Sequence, residues 1–159
     1  LVVVGGGDQL ERMKQLAARL KVSDRIRFAG FVDDEEKLEV LGRATVFAMP
    51  SIAELQSIST MEAMASGLPI VAANAMALPH LVHDGENGFL FEPGDVADLA
   101  AKLERVLRMP RDDYVAMQRE SLEIVQGHDI ERTLDVFETL YRGEPVDETL
   151  MVHSHPDAG

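Results

Sequence analysis

Apolar residues in this chain follow two rhythms. Short apolar runs at residues 1–4, 26–28, 45–49, 70–73 and 89–91 are bounded by glycine, proline or acidic turn residues, as strands are. Elsewhere apolar residues recur every three or four positions. That spacing predicts helices over about residues 9–20, 34–41, 58–66, 78–82, 96–107, 111–125 and 130–141. In the first helix Leu10, Met13, Leu16, Ala17 and Leu20 share a stripe, and in the second Leu38 and Leu41 point inward. The uninterrupted run Leu1-Val2-Val3-Val4 suits a strand buried on both faces of a parallel sheet. Helix ends carry their own signals: Asp33 or Asp34, Asp95 and Asp129 stand at N-cap positions, and Gly67 followed by Pro69 stops the third helix. Strands alternating with helices predict an α/β fold, a doubly wound parallel sheet. We find no internal repeat. Residues 143–159 lack periodicity and are expected to form a flexible tail, leaving residues 1–142 as one domain.

Ligands of such sheets bind at the carboxyl ends of the strands. Residues 5–7, 30–32, 50–54 and 74–77 all fall there. The stretch from residue 49 to 73 organises the rest: a strand end, a polar turn, a helix and the next strand. Glu54 and Glu62 flank the turn-to-helix junction with seven residues between them, and Ser57, Ser59 and Thr60 sit where the helix would begin. A helix N-terminus has free N–H groups and partial positive charge, which favour an anion such as phosphate. Carboxylates accept hydrogen bonds from sugar hydroxyls. An anion site beside two such acids has the chemistry to hold a sugar diphosphate. Ser59-Thr60-Met61-Glu62 also fits S-x-x-E, a capping box, which is the structural alternative for Glu62. For Glu54 the alternative is a solvated loop acid. Gly5-Gly6-Gly7 serves a tight strand-to-helix turn; direct phosphate contact is the other reading, and a dinucleotide fingerprint fails because its third glycine falls at Leu10.

Composition narrows the partners. The chain has 159 residues, 46% of them hydrophobic and 27% charged, so it is globular and large enough for a core. Lys and Arg number 15 against 28 Asp and Glu, a net charge of −13. An acidic domain is a poor nonspecific partner for nucleic acid or an anionic membrane, though a local anion site remains allowed. There is no cysteine, which removes disulfides and thiolate metal sites. The acids at residues 33–36 read as a solvated helix start rather than a metal cluster, and His153 and His155 lie in the tail without further ligands. No signal peptide or membrane span is evident. The chain opens on an apolar strand without methionine, and is expected to be a piece of something longer.

Pro50-Ser51, Glu54 and Glu62-Ala63-Met64-Ala65-Ser66-Gly67-Leu68-Pro69-Ile70-Val71-Ala72 resemble the E-x7-E signature of retaining GT-B glycosyltransferases of family 4. Val3-Val4-Gly5-Gly6-Gly7, Phe28-Ala29-Gly30-Phe31-Val32, the segment 44–51 and the segment 83–91 agree in order. The resemblance covers about residues 1–142. It implies the C-terminal, donor-binding, Rossmann-like half of a two-domain cytoplasmic enzyme, membrane association being open for the full-length protein. Such enzymes move a hexose, glucosyl or mannosyl, from a nucleotide diphosphate sugar to a lipid or glycan acceptor with retention, and need no metal or other cofactor. By position, the resemblance makes Glu54 the catalytic-site acid contacting donor sugar hydroxyls and Glu62 the ribose contact. It places the diphosphate on backbone N–H groups of Gln56, Ser57 and Ile58, the base edge on the backbone of Phe31 and Val32, and Gly5 and Gly7 in the donor-binding turn.

Three departures qualify this. The family's Gly-Phe-Gly after the first acid is Leu55-Gln56-Ser57, a stiffer turn whose Gln56 and Ser57 side chains could themselves bond phosphate or sugar. Its Gly-Gly-x-x-Glu loop is replaced by residues 75–80, with His80 near the position of the loop acid. Together these changes resemble bacterial members with lipid or glycan acceptors. Third, the strand-helix unit bearing an Arg and a Lys that neutralise the diphosphate would precede Leu1 and is not in this sequence, nor is the acceptor half. The 159 residues alone are thus expected to be inactive, to bind donor weakly, and to carry an open sheet edge liable to dimerisation. Rival readings are a GT-B nucleotide-sugar epimerase or hydrolase, a nicotinamide-binding dehydrogenase domain, and a noncatalytic binding module.

Overall fold

The computed structural model describes residues 1–146. Most of the expected tail, with His153 and His155, lies outside the described residues. The chain divides into two compact units, Leu1–Arg43 and Ala44–Gly159.

In the first unit, β1 (Val2–Val4) pairs in parallel with β2 (Arg27–Gly30), flanked in sequence by α1 (Leu10–Arg19) and α2 (Asp34–Arg43). Asp33 caps α2: its Oδ1 accepts from Glu36 N–H at 2.9 Å. Two expectations fail here. Val2 and Val4 are 40% and 44% exposed rather than buried, because this sheet has two strands and β1 has one neighbour. Leu38 is 63% exposed, while Leu41 is buried as expected. On α1, Met13, Leu16 and Leu20 are likewise exposed and Ala17 alone is buried. β2 starts later than predicted, since a short 3-10 turn (Ser23–Arg25) ends at Ile26.

The second unit holds a three-stranded parallel sheet in the order β3 (Phe47–Met49), β4 (Ile70–Ala73), β5 (Gly88–Phe91). The crossovers are α3 (Ile58–Ala65) and α4 (Leu78–Leu81), and α5 (Val96–Arg108), α6 (Arg111–Gln126) and α7 (Ile130–Tyr141) follow. Central β4 is wholly buried and the core gathers around it: Ala63 and Met64 from α3, Leu78 and Leu81 from α4, Phe89, Phe91, Val106 and Met117. α3 ends in a Schellman motif, Leu68 N–H to Ala63 C=O at 3.1 Å and Gly67 N–H to Met64 C=O at 2.8 Å. Asp95 and Asp129 cap α5 and α7 through the expected backbone N–H groups.

One face of α6 bonds the backbone just upstream of all three strands. Tyr114 Oη donates to Thr45 C=O at 2.9 Å, Gln118 Nε2 to Gly67 C=O at 2.9 Å, and Ser121 Oγ to Leu68 C=O at 2.8 Å and Asn87 C=O at 3.4 Å. These residues are spaced by four and three positions, so they share a stripe. Burial raises the Tyr114 pKa above the ordinary phenol value. Buried Asn87 pins the turn into β5, accepting from His83 N–H and donating to Leu81 C=O.

His128, between α6 and α7, has a buried Nε2 without a hydrogen-bond partner. Desolvation lowers its pKa from the ordinary 6.5. The unfolded chain therefore takes up this proton first as pH falls, and folded-state stability declines below the ordinary histidine range. His128→Asn should flatten the fall in melting temperature between about pH 7 and pH 5, the interval that brackets an unperturbed histidine. An unchanged pH slope in that variant would remove His128 as the cause.

Candidate functional site

In the first unit the loops after β1 and β2 leave the same edge of a parallel pair. Gly5 and Gly7 have φ of +113° and +147°, backbone conformations open to glycine, and Gly5 N–H bonds Gly30 C=O at 2.7 Å. The Phe31 ring lies across Gly6, where a Cβ would come within 2.6 Å of its Cε2. That ring is 87% exposed, and Val32 is half-buried. The structure thus collects Gly5, Gly7, Phe31 and Val32 at one strand edge.

In the second unit, Glu54, Gln56, Ser57, Ile58 and Glu62 lie on the β3–α3 turn and the first turns of α3. Glu54 and Glu62 are both half-buried, while Gln56 and Ile58 are exposed. Glu54 C=O accepts from Ala77 N–H at 3.1 Å, tying this turn to the loop after β4. His80 is exposed on α4.

Ser57 is the pivot. It is the N-cap of α3 and sits in the left-handed region, φ 50° and ψ 62°. For a residue with a Cβ that conformation costs about 1–2 kcal/mol. Ser57 is 4% exposed, and its Oγ bonds Thr60 Oγ1 at 2.8 Å inside the protein. Its C=O accepts from Thr60 N–H and Met61 N–H at 3.0 and 3.2 Å. No side chain caps the helix. Ser59 lies inside α3 and the N-cap is Ser57, so Ser59 and Glu62 form no capping box. In the sequence this hydroxyl pair shows only as a serine and a threonine three apart at a helix start.

From residue 44 to 101 the sequence contains no Lys or Arg. Local attraction for an anion in this stretch comes from backbone dipoles at the start of α3. Among the described residues no group of three or more His, Asp or Glu side chains could hold a metal ion, and no helix is long and apolar enough to cross a membrane. An open hollow of about 510 Å³ lies elsewhere, between the turn before β5, α5 and α6, lined by Glu86, Arg105 and Asp113 among others. The strands run parallel, so this hollow stands at the end opposite Glu54.

Comparison with known proteins identifies a glycosyltransferase domain. Residues 1–122 match the family model of glycosyl transferases group 1, and the chain belongs to that family. It is 44% identical over 100 residues to an MMP alpha-(1->4)-mannosyltransferase of Mycolicibacterium hassiacum, covering 62% of this chain and 24% of that protein. It is 39% identical over 125 residues to a phosphatidyl-myo-inositol mannosyltransferase of Mycobacterium leprae, covering 77% and 33%. The chain thus spans a quarter to a third of the length of these relatives. The structure of Anabaena HepE in complex with UDP-glucose superposes with a TM-score of 0.79 at 28% identity, covering 89% of this chain and 40% of that one. The α/β architecture matches the C-terminal Rossmann-like domains of GT-B glycosyltransferases.

Proposed function

We propose that this chain is the donor-binding half of a retaining, family 4 glycosyltransferase that moves a glucosyl or mannosyl group from a nucleotide diphosphate sugar to a lipid or glycan acceptor. The observation that carries the reading is the bracketing of an uncapped helix start by two half-buried acids, Glu54 and Glu62, in a member of this family. In this reading the first N–H groups of α3 hold the diphosphate, Glu62 the ribose, and Glu54 the sugar hydroxyls. Gly5, Gly7, Phe31 and Val32 serve the nucleoside. As the glycosidic bond breaks, negative charge grows on the departing diphosphate, and fixed dipoles aimed there stabilise it. The mannosyltransferase relatives and the UDP-glucose complex of HepE support a hexose donor. The name of the phosphatidyl-myo-inositol mannosyltransferase supports a lipid acceptor.

The test is a thermal-shift panel on the full-length protein with UDP-, GDP- and ADP-linked glucose and mannose, and NADH as control. One nucleotide sugar at about a hundred times its Kd should add roughly 2.7 kcal/mol of stability. A shift with NADH and none with the sugar nucleotides would replace this reading with the dehydrogenase one.

A further inference from the structure

We propose that Ser57 and Thr60 are a positioning pair that fixes the start of α3 while leaving its N–H groups available to the donor diphosphate. The inference rests on the function proposed above and gives these two side chains a role in it. An ordinary serine N-cap turns its oxygen onto the N–H of the second or third helical residue and occupies a donor that an anion would otherwise use. Ser57 does not do this. Its left-handed backbone sends Oγ to Thr60 Oγ1 at 2.8 Å, and Thr60 N–H goes to Ser57 C=O. The hydroxyl bond adds a side-chain tie to the backbone bonds that close the first turn of α3. The N–H groups of Ile58 and Ser59 keep their place at the mouth of the helix without a side-chain cap.

Both hydroxyls are buried, Ser57 at 4% exposure and Thr60 at 0%, so the pair acts from within rather than by touching a ligand. The resemblance to Gly-Phe-Gly puts a glycine at position 57, where positive φ needs no support. A serine there requires an anchor, and Thr60 supplies it. Ser57 and Thr60 are then a matched set: a change at one removes what the other depends on.

The experiment measures affinity for UDP and for uridine by calorimetry in the full-length protein, with GDP and guanosine used instead if the panel selects guanine donors. Ser57→Ala keeps the Cβ and loses the bond, and should weaken UDP binding about tenfold, the equivalent of one lost hydrogen bond at the upper end of its usual range. Uridine binding should stay unchanged, a split that general loss of stability does not produce. Thr60→Val should behave as Ser57→Ala, and Thr60→Ser should restore UDP binding. Ser57→Gly adopts the left-handed turn without an anchor and should bind UDP within about threefold of wild type. Wild-type UDP affinity in Ser57→Ala would overturn the proposal, as would a Ser57→Gly variant as weak as Ser57→Ala, which would mean the hydroxyl itself touches the ligand. Glu62→Gln serves as the reference. If it weakens UDP and uridine alike while Ser57→Ala is silent, only the positioning pair falls. If both are silent, the donor-site reading falls with it.

Discussion

Glu54→Gln and Glu62→Gln, made singly in the full-length protein, are each expected to lower kcat/KM for the donor by about 10²–10³-fold, the usual loss when a preorganised polar contact is removed from a transfer site. Glutamine preserves size. It replaces an oxygen that accepts from a sugar hydroxyl with an NH₂ group that can only donate. The two variants should fail differently. In the proposed geometry Glu62 meets the ribose, so Glu62→Gln should weaken both the sugar nucleotide and the free nucleoside diphosphate. Glu54 meets the transferred sugar, so Glu54→Gln should bind the nucleoside diphosphate normally and lose turnover. Steady-state kinetics with competitive inhibition by the nucleoside diphosphate separates the two. Near-normal turnover in both variants would remove the site assignment, whatever the family.

The second large effect concerns the sheet rather than the site. Gly88, the first residue of β5, faces Ile70 on β4 so closely that a Cβ would stand 1.9 Å from the Ile70 carbonyl oxygen. β4 is wholly buried, so it has no room to retreat. Gly88→Ala should therefore destabilise the fold by about 3 kcal/mol or more, at or beyond the upper end for overpacking, because the obstacle is backbone rather than a movable side chain. For a domain of this size that lowers the melting temperature by roughly 10 °C. A melting temperature within a degree or two of wild type would show that β5 shifts freely past β4. By contrast, Gly85 in the same turn has open space around its Cβ position, and its φ of +89° strains a replacement through the backbone rather than through a clash.

Much of the second unit is legible in the sequence. Ile70–Ala73 and Ile130–Tyr141 fall where the pattern puts them, because Gly67 with Pro69 and Asp129 punctuate the chain unambiguously. Burial was less legible. The run Val2-Val3-Val4 marks a strand without stating how many strands lie beside it, so its exposed valines could not be read from composition. Similarly, the apolar stripe of α7 is periodic yet contains no buried residue. At the site, the two acids and the helix between strands were visible through their spacing. The left-handed turn was not. Positive φ is ordinarily announced by glycine, and Leu55-Gln56-Ser57 contains none. The polar stripe of α6 was equally silent, since Tyr114, Gln118 and Ser121 find their carbonyls between 34 and 69 positions earlier in the chain.

Those distances bear on synthesis. A chain emerging from the ribosome presents the strands first, with their upstream carbonyls facing water, and the helix that seizes them arrives only after all three. Closure of that edge therefore waits on Ser121, and the family match itself ends one position later. A nascent chain halted before that point would hold the whole Glu54–Glu62 segment yet lack the latch that keeps β3, β4 and β5 in step, leaving it prey to chaperones and proteases.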